Sequence, residues 1–269
     1  MLLTPFIVTG TDAGVRNEVR IFIDNSFPAV DGKYELESTR LYAGYEFHPF
    51  ELFTGGVRVA TGDFNGDGND QLVVAAGPGG GPHVKIYDMT SDGLPGALTM
   101  SFFPFDIGFS GGLYVAAGDL DADGRDELIV SADAGGESRV RIFSDVRRDG
   151  VLVEVDSFLP FGNFGGGVRV AVGNVGGDGR DELIAGAGPG GSPHVRIYGS
   201  SDGDAQVSDE ANGGLRDQFF AYGTNFTGGV YVASGSAAPN NRDVVITGPG
   251  AGGGPHVKVF FDKNFNNDL

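Results

Sequence analysis

The chain has 269 residues, 48 of them glycine and 13 proline, with hydrophobic residues still at 40% and no cysteine. This composition excludes a disordered polymer, a collagen (no Gly-X-Y period runs through it), disulfides, zinc–thiolate sites and cysteine nucleophiles. Thirty-six acidic against 18 basic side chains give a net charge of −18, which repels phosphate backbones and anionic lipid surfaces and suits hard divalent cations.

No nucleic-acid partner is therefore expected. No apolar run approaches the roughly 18 residues of a membrane-spanning helix, so no membrane insertion is expected either. The opening residues, MLLTPFIVTGTDAG, have neither a basic n-region nor a long apolar h-region and do not read as a signal peptide. Residues 5–22, PFIVTGTDAGVRNEVRIF, match the second half of a unit that recurs in full four times, from Gly55, Gly111, Gly166 and Gly228. The second glycines of these units, Gly56, Gly112, Gly167 and Gly229, are 56, 55 and 62 residues apart.

The first full unit begins GGVRVATGDFNGDGNDQLVVAAGPGGGPHVKIYD. Its apolar segments at 57–60, 72–76, 84–87 and 98–103 are separated by turn residues and read as four short strands, A to D. β-Branched and aromatic residues fill them, and runs such as GPGGGP bar a helix between B and C. The D strands are expected near 47–50, 102–105, 158–161 and 219–222. Four strands in about 50–60 residues, repeated, predict an all-β fold: a single β-propeller domain with blades at roughly 1–54, 55–110, 111–165, 166–227 and 228–269. Strands B and C occur five times but A and D only four. Five blades of mostly four antiparallel strands are thus expected, the first without its inner strand and the last without a clear outer one. The count leaves open an imperfectly closed ring and a segment of a longer array, with the edge of residues 5–10 unpaired and Pro5 placed to blunt it.

Between strands A and B the first loop reads Asp63-Phe-Asn65-Gly-Asp67-Gly68-Asn69-Asp70-Gln71 and the second Asp119-Leu-Asp121-Ala-Asp123-Gly124-Arg125-Asp126-Glu127. Oxygen side chains at positions 1, 3, 5 and 9 can converge on one cation, and glycine at position 6 allows the sharp turn, by the logic of an EF-hand loop. Such residues also make ordinary turns, but five carboxylates within nine residues of the second loop repel one another without a counter-ion. The third loop keeps Asn174, Asp178, Arg180 and Glu182 but has Gly176 at position 3, so weaker binding is expected; the fourth, around Ser236, Pro239 and Arg242, keeps almost no ligands. Asp70, Asp126, Asp181 and Asp243 persist where the ligands have gone. That persistence favours a structural task, such as bonding a nearby backbone N–H.

The phrases GDFNGDG with QLVVAAGPG, GDLDADGRDELIVSADAG and GNVGGDGRDELIAGAGPG resemble FG-GAP repeats, the blades of integrin α-subunit heads and of many large bacterial surface proteins; GPGGGPHV is similar to long arrays in bacterial extracellular proteins. The resemblance implies calcium, with position 7 (Asn69, Arg125 or Arg180) giving a backbone carbonyl and position 9 (Gln71, Glu127 or Glu182) closing the site; Asp70 and Asp126 are alternative closers. Two firm calcium sites and one weak one are expected. The resemblance further implies an extracellular or cell-surface setting, as a mature form or segment.

His83, His194 and His256 share one position at the start of strand C, where other units have Arg139 and Glu18, and read as strand-end surface residues. The glycine-rich B–C runs precede strands and not helices, so phosphate cradling is not expected. The phenylalanines read as packing between blades, with sugar stacking as the rival use. No Ser-His-Asp order or carboxylate pair stands out beyond the loops, so no enzyme is expected. The expected function is a calcium-binding structural, adhesion or protein-binding scaffold. Alternatives are a lectin-like propeller binding a glycan, a self-associating surface-layer or filament subunit, and a non-catalytic part of a larger enzyme. A–B and C–D loops should share one face, the variable C–D loops serving recognition.

Overall fold

The computed structural model describes residues 6–24, 41–145, 147–209, 213–236 and 242–261, which form 18 β-strands and no helix. They make five antiparallel sheets in chain order. Blade one is β1 (Phe6–Gly10), β2 (Val19–Asp24) and β3 (Leu41–Phe47). Blade two is β4 (Val57–Gly62), β5 (Gln71–Ala76), β6 (Val84–Met89) and β7 (Pro95–Phe102). Blade three is β8 (Leu113–Gly118), β9 (Glu127–Ala132), β10 (Val140–Ser144) and β11 (Val153–Phe158). Blade four is β12 (Val168–Gly173), β13 (Glu182–Ala187), β14 (His194–Ser200) and β15 (Gly213–Phe220). Blade five is β16 (Val230–Ser236), β17 (Asp243–Pro249) and β18 (Lys258–Phe260). This is a five-bladed β-propeller whose first described sheet lacks strand A and whose last lacks strand D. Each sheet is a simple meander, so the inner strands β4, β8, β12 and β16 pack side by side in succession.

The outer strands differ from expectation. They end at Phe47, Phe102, Phe158 and Phe220, and the Phe-x-Pro-Phe phrases follow them as turns. Pro104 and Pro160 are buried there, and a proline without an N–H cannot continue the ladder.

Apolar side chains fill the space between neighbouring sheets in four clusters. Val19 and Ile21 of blade one pack with Leu72 and Val74 of blade two, Val73 and Ile86 with Leu113 and Leu128, Ile129 and Ile142 with Leu183, and Ile184 and Ile197 with Val245. Each fully buried Leu or Ile contributes about 1.5–3 kcal/mol, so blade-to-blade burial is the main stabilising term. β5, β9 and β13 are buried at every residue, because each has a strand on either edge and a sheet on either face.

Polar devices repeat at these interfaces. Lys85, Arg141, Arg196 and Lys258 each lie 5.1–5.6 Å over an aromatic ring of the preceding blade, Phe50, Phe105, Phe161 and Tyr222 respectively. Lys85 Nζ also donates to the Pro49 carbonyl at 2.7 Å and Lys258 Nζ to that of Ala221 at 2.8 Å. The histidines are more than strand-end surface residues. His83 stacks on Phe103 at 4.4 Å with Phe50 on its other side, and His194 stacks on Phe220 at 4.7 Å beside Phe161, so both are half-buried and burial lowers their pKa.

The inner strands carry a second device, at the residue after their first valine or leucine. Arg58 lies 5.2 Å over the Tyr114 ring, Arg169 covers Tyr114 at 5.6 Å and Tyr231 at 4.9 Å, and the order Arg-Tyr-Arg-Tyr forms a ladder from blade two to blade five. Arg169 is buried, with Nε and one terminal nitrogen lacking a hydrogen-bond partner among the described residues, so the two ring faces supply its electrostatic compensation. The glycine pair just before each inner strand makes this approach possible. A Cβ on Gly112 would overlap the backbone at Gly77 and Pro78 of the preceding blade, and its φ of 91° is left-handed.

Candidate metal centre

The A–B loops sit at one end of the propeller, together with the C–D loops. Arg125 donates to the buried Asp145 carboxylate at 3.1 Å, Arg148 reaches Asp123 at 3.2 Å, and a cavity of about 110 Å³ is lined by Asn65, Asp88, Asp145 and Gly150. At the other end the B–C and D–A loops meet, Gly79 N–H donating to the Ser110 carbonyl at 2.8 Å.

In the second loop Asp119 and Asp121 project from the turn while Glu127, the first residue of β9, lies fully buried beneath it. Carboxylate oxygens of Asp119, Asp121 and Glu127 lie within 4.8 Å of one another. The turn is built by backbone donors: Asp123 N–H bonds Asp119 and Asp121, Gly124 N–H bonds Asp119 Oδ2 at 3.0 Å, and Arg125 N–H bonds Asp123 at 2.9 Å. Ala122 and Gly124 take φ of 62° and 84° to allow it. Leu120 N–H donates to Glu127 Oε2 at 2.9 Å and the buried Ser144 lies near enough to the same carboxyl to lower its pKa, whereas Glu127 Oε1 makes no hydrogen bond among the described residues. Burial, with Asp121 beside it, pushes the Glu127 carboxyl up to about 8, and burial with Asp123 raises Asp121. The three carboxylates, with the orphaned Glu127 oxygen among them, are oxygen ligands of the kind that could hold a hard cation. Asp123, by contrast, faces Arg148.

The first loop has the same frame and different chemistry. Asp63 accepts from Gly66, Asp67 and Gly68, and Gln71 Oε1 takes the Phe64 N–H at 2.9 Å just as Glu127 Oε2 takes that of Leu120. In the place of the free Glu127 oxygen, however, Gln71 puts an NH2 group, which donates to the Asn69 carbonyl at 2.9 Å. Asn65 and Asn69 turn their amide nitrogens to Asp67. In the third loop Asn174 accepts from Gly177, Asp178 from Arg180 N–H, and the buried Glu182 from Gly176, with burial pushing Glu182 up to about 7. Residues 237–241 of the fourth loop lie outside the described residues, as does Pro5.

Asp126, the alternative closer, has another task. Its Oδ2 accepts the Asp63 N–H of the preceding blade at 2.8 Å, and its own N–H donates to the Asp63 carbonyl at 3.0 Å. Asp181 clamps Asp119 and Asp243 clamps Asn174 in the same reciprocal way.

Against this geometry, residues 63–130, from the first loop through β9, match the model of the FG-GAP-like repeat. That stretch, about a quarter of the chain, is similar to an FG-GAP-like repeat. The FG-GAP match thus spans both of the best-formed loops and the interface between blades two and three. No curated protein matches the chain significantly. Solved structures resemble it at low identity. A humanized mutant of the Chaetomium thermophilum Polycomb Repressive Complex 2 is 12% identical at a TM-score of 0.48, covering 92% of this chain and 47% of that one. A rhamnogalacturonan lyase of Bacillus licheniformis is 12% identical at 0.47, covering 93% and 58%. The Dos1 propeller is 12% identical at 0.46, covering 95% and 63%. The chain spans about half to three-fifths of the length of these proteins, and the likeness carries no functional argument. No helix among the described residues is long and apolar enough to cross a membrane.

Proposed function

We propose that this chain is a calcium-stabilised β-propeller that serves as a non-catalytic, protein-binding scaffold at a cell surface or in the extracellular space. Support comes above all from Glu127, whose buried Oε1 makes no hydrogen bond among the described residues and lies beside Asp119 and Asp121. Keeping a carboxylate ionised beneath two others is costly unless a cation neutralises them, and without one Glu127 is held largely protonated at neutral pH. Asp119, Asp121 and Glu127 would hold calcium, joined by the Arg125 carbonyl and, once released from Arg148, by Asp123; the ion would supply charge neutralisation and tie β8 to β9. The first loop would bind more weakly, since an amide nitrogen stands where Glu127 offers an oxygen, and the third more weakly again. The C–D loops share the face of the metal loops and differ in length and composition, which suits them to partner recognition.

Calcium titration by calorimetry tests this reading, using the parent chain and Asp121→Ala. Binding in the parent at micromolar to millimolar affinity, lost or strongly weakened in the variant, is the expected result. Absence of binding in the parent, or equal binding in both, overturns it.

A further inference from the structure

Among the described residues the outer edge of β1 carries no strand, and it forms a slot of defined shape. β1 stands in its sheet where β5, β9 and β13 stand in theirs, since Gly10 faces Val19 across the ladder as Ala75 faces Val84. Those three strands are buried throughout, whereas Ile7, Thr9 and Gly10 are exposed, Ile7 by 43%. Among the described residues β1 pairs only with β2. Thr11 N–H points to β2, where it bonds the Glu18 carbonyl, so by alternation the N–H groups of Val8 and Gly10 point to the open edge.

Two further features mark the same place. The Arg-Tyr ladder ends at Tyr231, which is 48% exposed with one ring face covered by Arg169, and at Arg58, whose outer side meets the exposed Asp12 carboxylate at 3.2 Å. The aspartate clamp also stops here. Asp126, Asp181 and Asp243 grip the loop that follows the preceding inner strand, but Asp70 holds no such clamp among the described residues.

We propose that this slot binds an extended peptide strand of a partner protein, antiparallel to β1, with small apolar residues and an arginine placed opposite Gly10. The register of the complete blades dictates that pattern. Arg58 lies opposite Ala75, Tyr114 opposite Ser131 and Arg169 opposite Gly186, and Gly10 is the counterpart of those partners. Around a five-bladed ring that position falls between Tyr231 of blade five and Arg58 of blade two, so an arginine there would stand between the uncovered side of Tyr231 and the Asp12 carboxylate, which favour a guanidinium over a tyrosine. Two positions on, the inner strands carry Ala60, Ala116, Ala171 and Ala233, so the strand must be small there. The charge of −18 favours a cationic ligand. Main-chain pairing along the edge supplies affinity, and the arginine supplies register and choice of partner.

The probe is a synthetic peptide with the sequence of residues 55–62, GGVRVATG, titrated into the full chain. Fluorescence anisotropy and amide hydrogen exchange are read out together. Binding is expected below about 1 mM, with exchange at residues 6–11 slowed on saturation. Arg→Glu in the peptide should weaken binding at least about tenfold, as should Tyr231→Leu in the protein. N-methylation of the peptide's arginine and alanine, whose amides face β1, should abolish binding without altering the protein. Four outcomes overturn the proposal: no binding at about 1 mM, equal binding of a scrambled peptide, slow exchange at residues 6–11 in the free monomer, and protection that grows with protein concentration alone, which would make a second copy the occupant.

Discussion

Glu127→Gln should stabilise the calcium-free protein while removing most of its response to calcium. Blade two already shows what the substitution produces, because Gln71 there accepts the Phe64 N–H and donates to the Asn69 carbonyl. Glutamine at 127 can keep the bond from Leu120 and give the orphaned position a donor with a carbonyl in reach. Burial raises the Glu127 carboxyl from 4.5 to about 8, so folding disfavours its ionised form. The resulting cost is absent below pH 4.5, grows as pH rises and is complete above about 8. At pH 7 it spans about 2.5 pH units at about 1.4 kcal/mol each, or about 3 kcal/mol. With an unfolding entropy of about 2 cal/mol/K per residue, relief of that cost raises Tm by about 5 °C. Circular dichroism melts in EDTA should show this gain at pH 7 and its disappearance near pH 4.5. Excess calcium should then raise the parent's Tm well above its EDTA value and the variant's far less. A lower Tm for the variant in EDTA, or equal calcium increments for the two proteins, would refute the assignment of Glu127 as a buried, cation-dependent carboxylate.

Two further outcomes follow from the same frame. Gln71→Glu replaces the amide nitrogen under the first loop with an oxygen and should tighten calcium binding there by about tenfold or more, seen in calorimetry as a second strong site; unchanged stoichiometry and affinity would show that position 9 does not control the site. Asp181→Ala breaks a clamp between blades three and four and leaves the Asp119 N–H unpaired, at a cost of about 2 kcal/mol in chemical denaturation, whereas Asp70→Ala, where no such clamp exists among the described residues, should cost less than about 1 kcal/mol. Equal losses would deny the clamp its interblade role.

Much of this architecture was legible because the repeat places like residues at like positions. Strands A, B and C, the missing inner strand of blade one and the clamp aspartates all follow from aligning the units. The outer strands were misplaced by the apolar Phe-x-Pro-Phe phrases, which pack against cations of the next blade after the strand has ended. The true strand, as in Pro95–Phe102, is largely exposed and weakly patterned. The contrast between Gln71 and Glu127 was visible as letters but not as chemistry. Its meaning depends on one oxygen being taken by a backbone N–H while the other faces the loop. Nor could the histidines be seen as stacked, because Phe50 and Phe103, the partners of His83, come from different blades.

The Arg-Tyr ladder has a consequence of parity. Two alternating residue types close upon themselves only around an even number of places, and five is odd. The four described inner strands alternate without a break, but a strand taken into the slot of blade one would make a fifth place and must set like beside like; an arginine there would put that seam beside Arg58, where the Asp12 carboxylate stands ready to separate two cations. Gain or loss of a single blade would make the count even and let the alternation close without a seam, leaving Asp12 no second cation to separate, whereas gain or loss of blades in pairs would keep the seam.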